Sequence, residues 1–132
     1  MLRFKFDKRI KLFNKNWWNP TKKEWVPKLM EDNRELWSHQ ADAEGKPWKT
    51  LSPSYSRWKS RHYGSLPMLR LTGDMLNRAH LETRGNKFVV HTNDEGVYNQ
   101  FGTDSMPARP WMGLPRKSLD TLSVLSLKNL IV

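Results

Sequence analysis

The residues that could carry acid, base or metal chemistry in this chain are its histidines and its paired carboxylates. The four histidines, at positions 39, 62, 80 and 91, are too far apart for a local pair of metal ligands such as two histidines one helical turn apart. Glu31-Asp32 is predicted to lie on the solvent face of a helix, and Asp94-Glu95 to serve the start of another. We therefore expect no bound metal and no cofactor.

The chain also lacks the short motifs that place a nucleophile or a phosphate group. It has no glycine-rich phosphate loop, no nucleophile elbow, no dinucleotide fingerprint and no cysteine. An enzyme would have to assemble its site from dispersed residues, with His62, His80 or His91 converging on an acidic side chain. The sequence therefore favours a protein that is not an enzyme.

Residues 98–102 and 107–114 have the most distinctive local composition. They combine aromatic residues, turn formers and one arginine, which is typical of a docking surface rather than of an active site. Arg109 lies between Ala108 and Pro110 on a stiff backbone, where it can pair with a carboxylate of its own chain or of a neighbouring subunit. Both alternatives are open at the level of sequence.

Length and composition indicate a single folded domain. A chain of 132 residues is of ordinary size for one domain, and the absence of cysteine fits a reducing compartment. No apolar run approaches the ~18–20 residues of a transmembrane span, and the N-terminus lacks a signal-peptide core, so we expect synthesis in the cytosol and no contact with membranes. Seven tryptophans are many for this length, and they either fill a small core or anchor interfaces.

The formal net charge of +10 predicts attraction to anionic partners such as nucleic acid, a membrane surface or an acidic protein ring. Positive charge is densest between Lys5 and Lys28. No RNA-binding aromatic signature, zinc finger or clear helix-turn-helix accompanies it. A general electrostatic role is therefore favoured over sequence-specific recognition of bases.

Hydrophobic periodicity in the N-terminal half predicts one strand followed by helices. Alternating apolar residues predict a strand over 2–12, and residues 14–21 are expected to form a turn or arm. Within it, Trp17-Trp18 cannot both point inward, so one of them is either a partner anchor or a cover over the domain's own surface. A helix is predicted from Pro27 to about 40, followed by a loop whose Trp48 returns to the core.

Capping residues and turn residues predict the remaining elements. Ser52 should cap a helix that ends at Gly64, and a short helix should run from Thr72 or Gly73 to about His80. A hairpin is expected over 81–84 and 87–91, then a short helix capped by Asn93 or Asp94 and ended by Gly102, an extended stretch over 108–112, and a last helix capped by Ser118.

Together these elements predict an α+β fold, with a small, mainly antiparallel sheet packed against several helices. We expect one domain over 1–132, with an N-terminal strand and arm over 1–22 and a C-terminal helix, or helix plus strand, over 115–132.

Five short segments occur in an order that resembles a known protein family. The residues that carry the resemblance are Glu44, Gly45, Trp48, Leu51 and Ser52; Lys59; Leu69, Thr72, Gly73 and Met75; Tyr98, Gln100, Phe101 and Gly102; and Arg109, Pro110, Trp111 and Gly113. In order and spacing they resemble the virion morphogenesis and tail completion proteins of tailed bacteriophages. Asn99 stands where that family often has histidine, Met75 stands where it usually has leucine, and the segment around Trp17-Trp18 has no counterpart in it.

The resemblance implies a structural virion protein at the neck or the head-proximal end of the tail, made in the host cytoplasm. Such proteins complete the tail or join it to the head, and generally form rings, often of six copies, around the DNA channel. The implied partners are copies of this chain and other neck and tail proteins, with DNA in the channel as a further candidate contact. Candidate contact residues are Trp17, Trp18, Tyr98, Phe101, Arg109 and Trp111.

The alternative function is that of a basic nucleic-acid-binding protein acting through non-specific electrostatics. It is supported by the net charge and the aromatic content. Such a protein should bind duplex DNA at moderate salt, whereas a neck protein should oligomerise or dock onto tail tubes without DNA.

Overall fold

The computed structural model describes residues 14–64, 68, 74–85 and 87–131, and these form five helices and one two-stranded antiparallel sheet. The elements in chain order are α1 (Trp18–Ser38), α2 (Pro53–Tyr63), α3 (Asp74–Arg78), β1 (His80–Arg84), β2 (Lys87–His91), α4 (Asp94–Phe101) and α5 (Arg116–Leu130). The predicted α+β fold class is confirmed. The predicted strand over 2–12 lies outside the described residues. Within the described ranges, no helix has the length and apolarity needed to cross a bilayer.

Helix α1 begins earlier than the sequence predicts. It starts at Trp18, so the predicted helix start at Pro27 is wrong, and the predicted turn is limited to residues 15–17. Pro20 fits the first turn, where a backbone N–H has no helical partner. Pro27 lies inside α1 on its exposed side, so water can reach the carbonyl that the missing N–H leaves unpaired.

The packing of α1 against α5 dominates the contacts between helices in the described part of the chain. Trp25 of α1 is fully buried, and its indole Nε1–H donates to the carbonyl of Ser118 at 2.7 Å. Ser118 lies inside the first turn of α5, after Pro115, so the prediction that Ser118 is the N-cap is wrong. Its hydroxyl points into the interface instead and donates to Oδ2 of Asp32 at 2.7 Å.

Asp32 is therefore buried, and the prediction that it faces solvent is wrong. Its Oδ1 faces the ammonium groups of Lys28 at 3.1 Å and Lys117 at 3.7 Å. Burial by itself would raise the pKa of Asp32, but the hydrogen bond from Ser118 and the two lysines outweigh it, and the pKa lies below its ordinary value. The interface between α1 and α5 thus contains a buried carboxylate that is both paired and hydrogen-bonded.

The hairpin has the predicted turn, and its register pairs Arg84 with Lys87 and His80 with His91. His80 belongs to β1, so α3 ends at Arg78 rather than at His80 as predicted. Phe88 of β2 joins the hairpin to α1, since its ring meets that of Trp25 edge to face at 5.1 Å. The hairpin covers the N-terminal half of α1.

A second cluster of buried residues lies beyond the C-terminal half of α1. Trp37 and Trp111 meet edge to face there with ring centroids 5.7 Å apart, and Trp48 is buried as predicted. The remaining buried members of this core are Met30, Met75, Leu76 and Ala79. Helix α4 lies against this core through Trp111, and it has Asn93, one of its two predicted caps, and its predicted end, Gly102.

We predict that Asp32→Asn lowers the free energy of unfolding by about 1–3 kcal/mol at pH 7, because a buried charged acceptor is replaced by a neutral one. Since the pKa of Asp32 is lower in the folded chain, its charge stabilises the fold above the ordinary value of 3.8, and this contribution is lost as the pH falls below that value. Urea unfolding at pH 7 and near pH 3 measures both effects. The difference between the variant and the parent should shrink at the lower pH.

The matched control is Asp120→Asn, which removes a carboxylate that is 68% exposed and pairs with Arg116 on the surface of α5. It should cost less than about 1 kcal/mol. Equal losses for the two variants would contradict the assignment of Asp32 to a stabilising buried network.

Candidate functional site

Residues 107–115 cross the molecule between α4 and α5 without forming a helix or strand, and tryptophan side chains satisfy part of their backbone. The indole N–H of Trp37 donates to the carbonyl of Trp111, and that of Trp48 donates to the carbonyl of Pro110 at 2.6 Å. Trp111 in turn donates to the carbonyl of Gly96 in α4 at 2.8 Å. We call residues 107–115 the crossing segment.

Two amide side chains bind the same crossing segment as a neighbouring strand would. Gln100 accepts from the N–H groups of Trp111 and Met112, each at 3.0 Å, and donates to the carbonyl of Met112 at 2.9 Å. Asn33 of α1 accepts from Gly113 N–H and donates to its carbonyl, both at 3.1 Å. The two sequence segments predicted to form a docking surface are therefore joined to each other and to α1.

Arg109 is buried, and its guanidinium bonds to backbone rather than to a carboxylate. It donates to the carbonyls of Lys49 at 2.7 Å and Thr50 at 3.1 Å, while its backbone N–H donates to the carbonyl of Asn99 at 2.6 Å. Burial lowers the pKa of Arg109 from its ordinary value. These bonds hold the loop before α2 against α4, and a contact of Arg109 with a neighbouring subunit stays a prediction.

A cleft of about 490 Å³ opens between α2 and α4, and we call it the α2–α4 cleft. Tyr55 and Lys59 line it from α2, and Glu95 and Tyr98 from α4. Lys59 is 4% exposed, and burial lowers its pKa. The residues of the crossing segment that line it are Pro107 and Arg109. The cleft is thus a largely apolar recess whose lining includes the cationic side chains of Lys59 and Arg109.

The outer side of α4 exposes apolar side chains beside this cleft. Val97 is 45% exposed, Tyr98 52% and Phe101 78%, and we call these three residues the α4 ridge. The inner side of the same helix carries the buried Asn99 and the bonded Gln100. Two of the predicted contact residues, Tyr98 and Phe101, are therefore available to a partner.

The other predicted contact residues lie elsewhere. Trp111 is buried in the core, at 3% exposure. Trp17 and Trp18 are half-buried, and Trp18 meets Phe88 edge to face at 5.9 Å, so it covers its own hairpin. Neither of the adjacent tryptophans lines the α2–α4 cleft.

Sequence reasoning missed the exposed aromatic side of α2. Tyr55, Trp58 and Tyr63 are all more than two-fifths exposed. They lie within the helix predicted after Ser52, but no face of that helix was assigned to them. The signal was available, because aromatic rings at one-turn spacing on a helix without aliphatic residues form a stripe.

The hairpin brings together two histidines that are far apart in the sequence. The rings of His80 and His91 stack at 4.5 Å, and His91 Nε2 lies 2.5 Å from Oε2 of Glu82. This is a convergence of histidine with a carboxylate. Glu82 also pairs with Arg84 at 3.4 Å, and the His91 and Arg84 bonds lower its pKa. A catalytic dyad would need a nucleophile or a recess beside it, and the described residues that form the hairpin offer a surface ion pair instead. Among the described residues, no group of three potential ligands could hold a metal ion.

Comparison with known proteins gives one informative similarity. The chain is 22% identical over 105 residues to Mu-like prophage FluMu G protein 1 of Haemophilus influenzae strain Rd, and the match covers 77% of this chain and 72% of that protein. No family model matches the chain, and no solved structure matches it significantly. The similarity is to a phage-related protein.

We predict that Gly102→Ala, at the end of α4, destabilises the chain more than Gly45→Ala in the loop after α1. Both glycines have a positive φ, +76° and +81°, so alanine is strained at either position. A Cβ at residue 102 would also lie 2.8 Å from the backbone nitrogen of Ala108, whereas a Cβ at residue 45 meets nothing within 4 Å.

Gly45→Ala should therefore cost about 1–2 kcal/mol from the backbone alone, and Gly102→Ala a further ~1–3 kcal/mol from the displaced crossing segment. Urea unfolding of both variants measures the difference. Equal costs would show that the contact between residue 102 and the crossing segment is not tight.

Proposed function

We propose that this protein is a structural component of a tailed-phage virion that completes the tail or joins it to the head at the neck. The observation that carries the proposal is the ordered set of motif segments over residues 44–113, together with the similarity to a protein whose name assigns it to a Mu-like prophage. The proposed location is the virion, after assembly in the host cytoplasm.

The contacts of the motif residues support a structural role rather than a catalytic one. Gln100, Arg109 and Trp111 direct their polar atoms at backbone groups of the same chain. These bonds fix the crossing segment and commit the polar atoms of these three side chains to holding the fold. We accordingly propose that the protein is not an enzyme and uses no cofactor.

The exposed apolar residues support assembly into a ring around the DNA channel, for which six copies is the expected number. A ring needs a heterologous contact, in which two different patches of the same chain meet and the rotation closes. The α4 ridge is one apolar patch. A second lies on α5 and its C-terminal end, where Val124 is 65%, Leu127 58% and Ile131 62% exposed. We propose that the α4 ridge of one copy meets this α5 patch of the next, and that other neck and tail proteins stack on the ring.

We predict that the parent chain forms rings, or caps one end of purified tail tubes, and that Phe101→Glu abolishes both. A charge at the most exposed apolar position of the α4 ridge would have to be buried without a partner in the contact. Light scattering gives the mass of the assembly, and negative-stain microscopy shows rings or capped tubes. Val124→Glu should have the same effect, because it places the charge on the second patch.

The matched control is Asn77→Glu, which adds the same charge at an exposed position of α3 outside both patches. It should assemble like the parent chain. The proposal fails if the parent chain stays monomeric and ignores tail tubes, and the assignment of the α4 ridge fails if Phe101→Glu assembles as well as Asn77→Glu.

A further inference from the structure

The acidic residues of this chain are absent from one long stretch of it. Residues 45–73 contain six lysines and arginines and no aspartate or glutamate, although the whole chain has 13 acidic residues. Helix α2 lies in the middle of this stretch and has no carboxylate of its own. Helix α2 therefore carries positive charge with no carboxylate in its own stretch of the chain.

Helix α2 also stands outside the packed part of the molecule. Lys59 is its one buried residue, and all the others are exposed. A surface helix normally buries an apolar stripe, but α2 contains no leucine, isoleucine, valine or methionine. Ser52 caps its start through Tyr55 N–H at 3.3 Å, and Gly64 ends it with φ of +78°, so local signals define the helix despite its small buried area.

Three aromatic side chains form a stacked ladder along α2. The ring of Trp58 stacks on Tyr55 at 5.6 Å and on His62 at 4.8 Å. Tyr55 precedes Trp58 by about one turn and His62 follows it by one turn, so the indole has a ring on each side. On this ladder Trp58 stacks on a ring of its own helix in each direction.

Two arginines run beside the ladder. Arg57 and Arg61 are separated by one helical turn, about 6 Å of rise, and both are exposed. Like charges at this spacing on a helix are mutually unfavourable. The carboxylate of Glu95 lies across the α2–α4 cleft, on the side of Lys59 rather than on α2 itself. The pair is arranged to receive anions from outside the chain.

We propose that the exposed side of α2 binds the phosphate backbone of duplex nucleic acid, with Arg57 and Arg61 contacting phosphates and the aromatic ladder acting as a rigid support. Phosphates of a duplex supply closely spaced charges that two arginines one turn apart can reach together. Single strands are bound chiefly by stacking of bases on unoccupied aromatic faces, and Trp58 already stacks on two rings of its own helix.

This inference goes beyond the proposed function, since it requires neither a ring nor a phage tail. It also assigns the electrostatic binding expected from the net charge to two named residues, Arg57 and Arg61. The proposed ring contact uses the α4 ridge and the α5 patch, and neither of them contains a residue of α2.

The test is a salt titration of binding between this chain and a random-sequence DNA duplex of about 20 base pairs, which is roughly two turns of B-DNA. Each phosphate contact contributes about 0.9 to the slope of log affinity against log salt. For Arg57→Ala/Arg61→Ala the slope should therefore fall by about 2, and affinity at ~0.1 M salt by more than about tenfold.

Two matched variants separate position from charge. Lys23→Ala/Arg34→Ala removes the same charge from exposed positions of α1 and should keep a slope close to that of the parent chain. Arg57→Lys/Arg61→Lys keeps the charge of α2 and should restore most of the slope. Circular dichroism verifies that α2 is retained in each variant.

The proposal is overturned if the α1 and α2 variants lose equal affinity, because binding would then follow net charge alone. It is also overturned if the parent chain binds one strand of this duplex far more tightly than the duplex itself, with quenching of tryptophan fluorescence. Assembly on tail tubes in the absence of nucleic acid should be unchanged in Arg57→Ala/Arg61→Ala, so failure of this inference and failure of the neck role give different results.

Discussion

The structure depends on satisfying the backbone of the crossing segment, an irregular stretch placed against the core. A buried peptide group without a hydrogen-bond partner is costly, and a segment that is neither helix nor strand cannot supply its own partners. Here the partners are side chains from three parts of the chain, namely Trp37 and Asn33 of α1, Trp48 of the following loop, and Gln100 of α4. Four of the seven tryptophans are buried, and all four donate their indole N–H groups to backbone carbonyls.

This constraint decides which residues remain for partners. Helix α4 turns Gln100 inward to bind the crossing segment, and the backbone carbonyl of the buried Asn99 accepts from Arg109 N–H. Val97, Tyr98 and Phe101 are turned outward as a result. The apolar ridge is thus a consequence of the internal hydrogen bonds on the opposite side of the same short helix. In the same way, Arg109 binds the carbonyls of residues 49 and 50 and thereby anchors the chain immediately before α2. The position of α2 depends on that anchor, since the helix itself buries little.

Elements defined by local signals could be predicted from the sequence. The Ser52 cap, the Gly85 turn, the Asn93 cap and the end at Gly102 act within a few residues, and the structure has each of them. Features that depend on partners distant in the sequence could not be predicted. Asp32 appears solvent-facing within α1 alone, and it is buried because α5 brings Ser118 and Lys117 onto it. The charge of Arg109 suggests an ion pair with a carboxylate, whereas its guanidinium donates to backbone carbonyls of the loop before α2. The start of α1 is not predicted correctly, because Pro20 suggests a turn and Pro27 suggests a helix start. In the structure Pro20 fits the first turn of α1, and Pro27 lies within the helix on its exposed side.

The distribution of charge connects the two proposed surfaces. On the α1 and α5 side, carboxylates and lysines are paired, as in Lys28 with Asp32, Lys117 with Glu35 and Lys128 with Glu24. Around α2 no acidic residue of the same stretch is present to compensate. Copies of a chain with a net charge of +10 repel one another when brought together, and apolar contacts alone must overcome that repulsion. A polyanion bound along α2 would reduce the repulsion at the place where it is uncompensated. Binding of nucleic acid and assembly through the α4 ridge would then favour each other, because each lowers the electrostatic cost of the other.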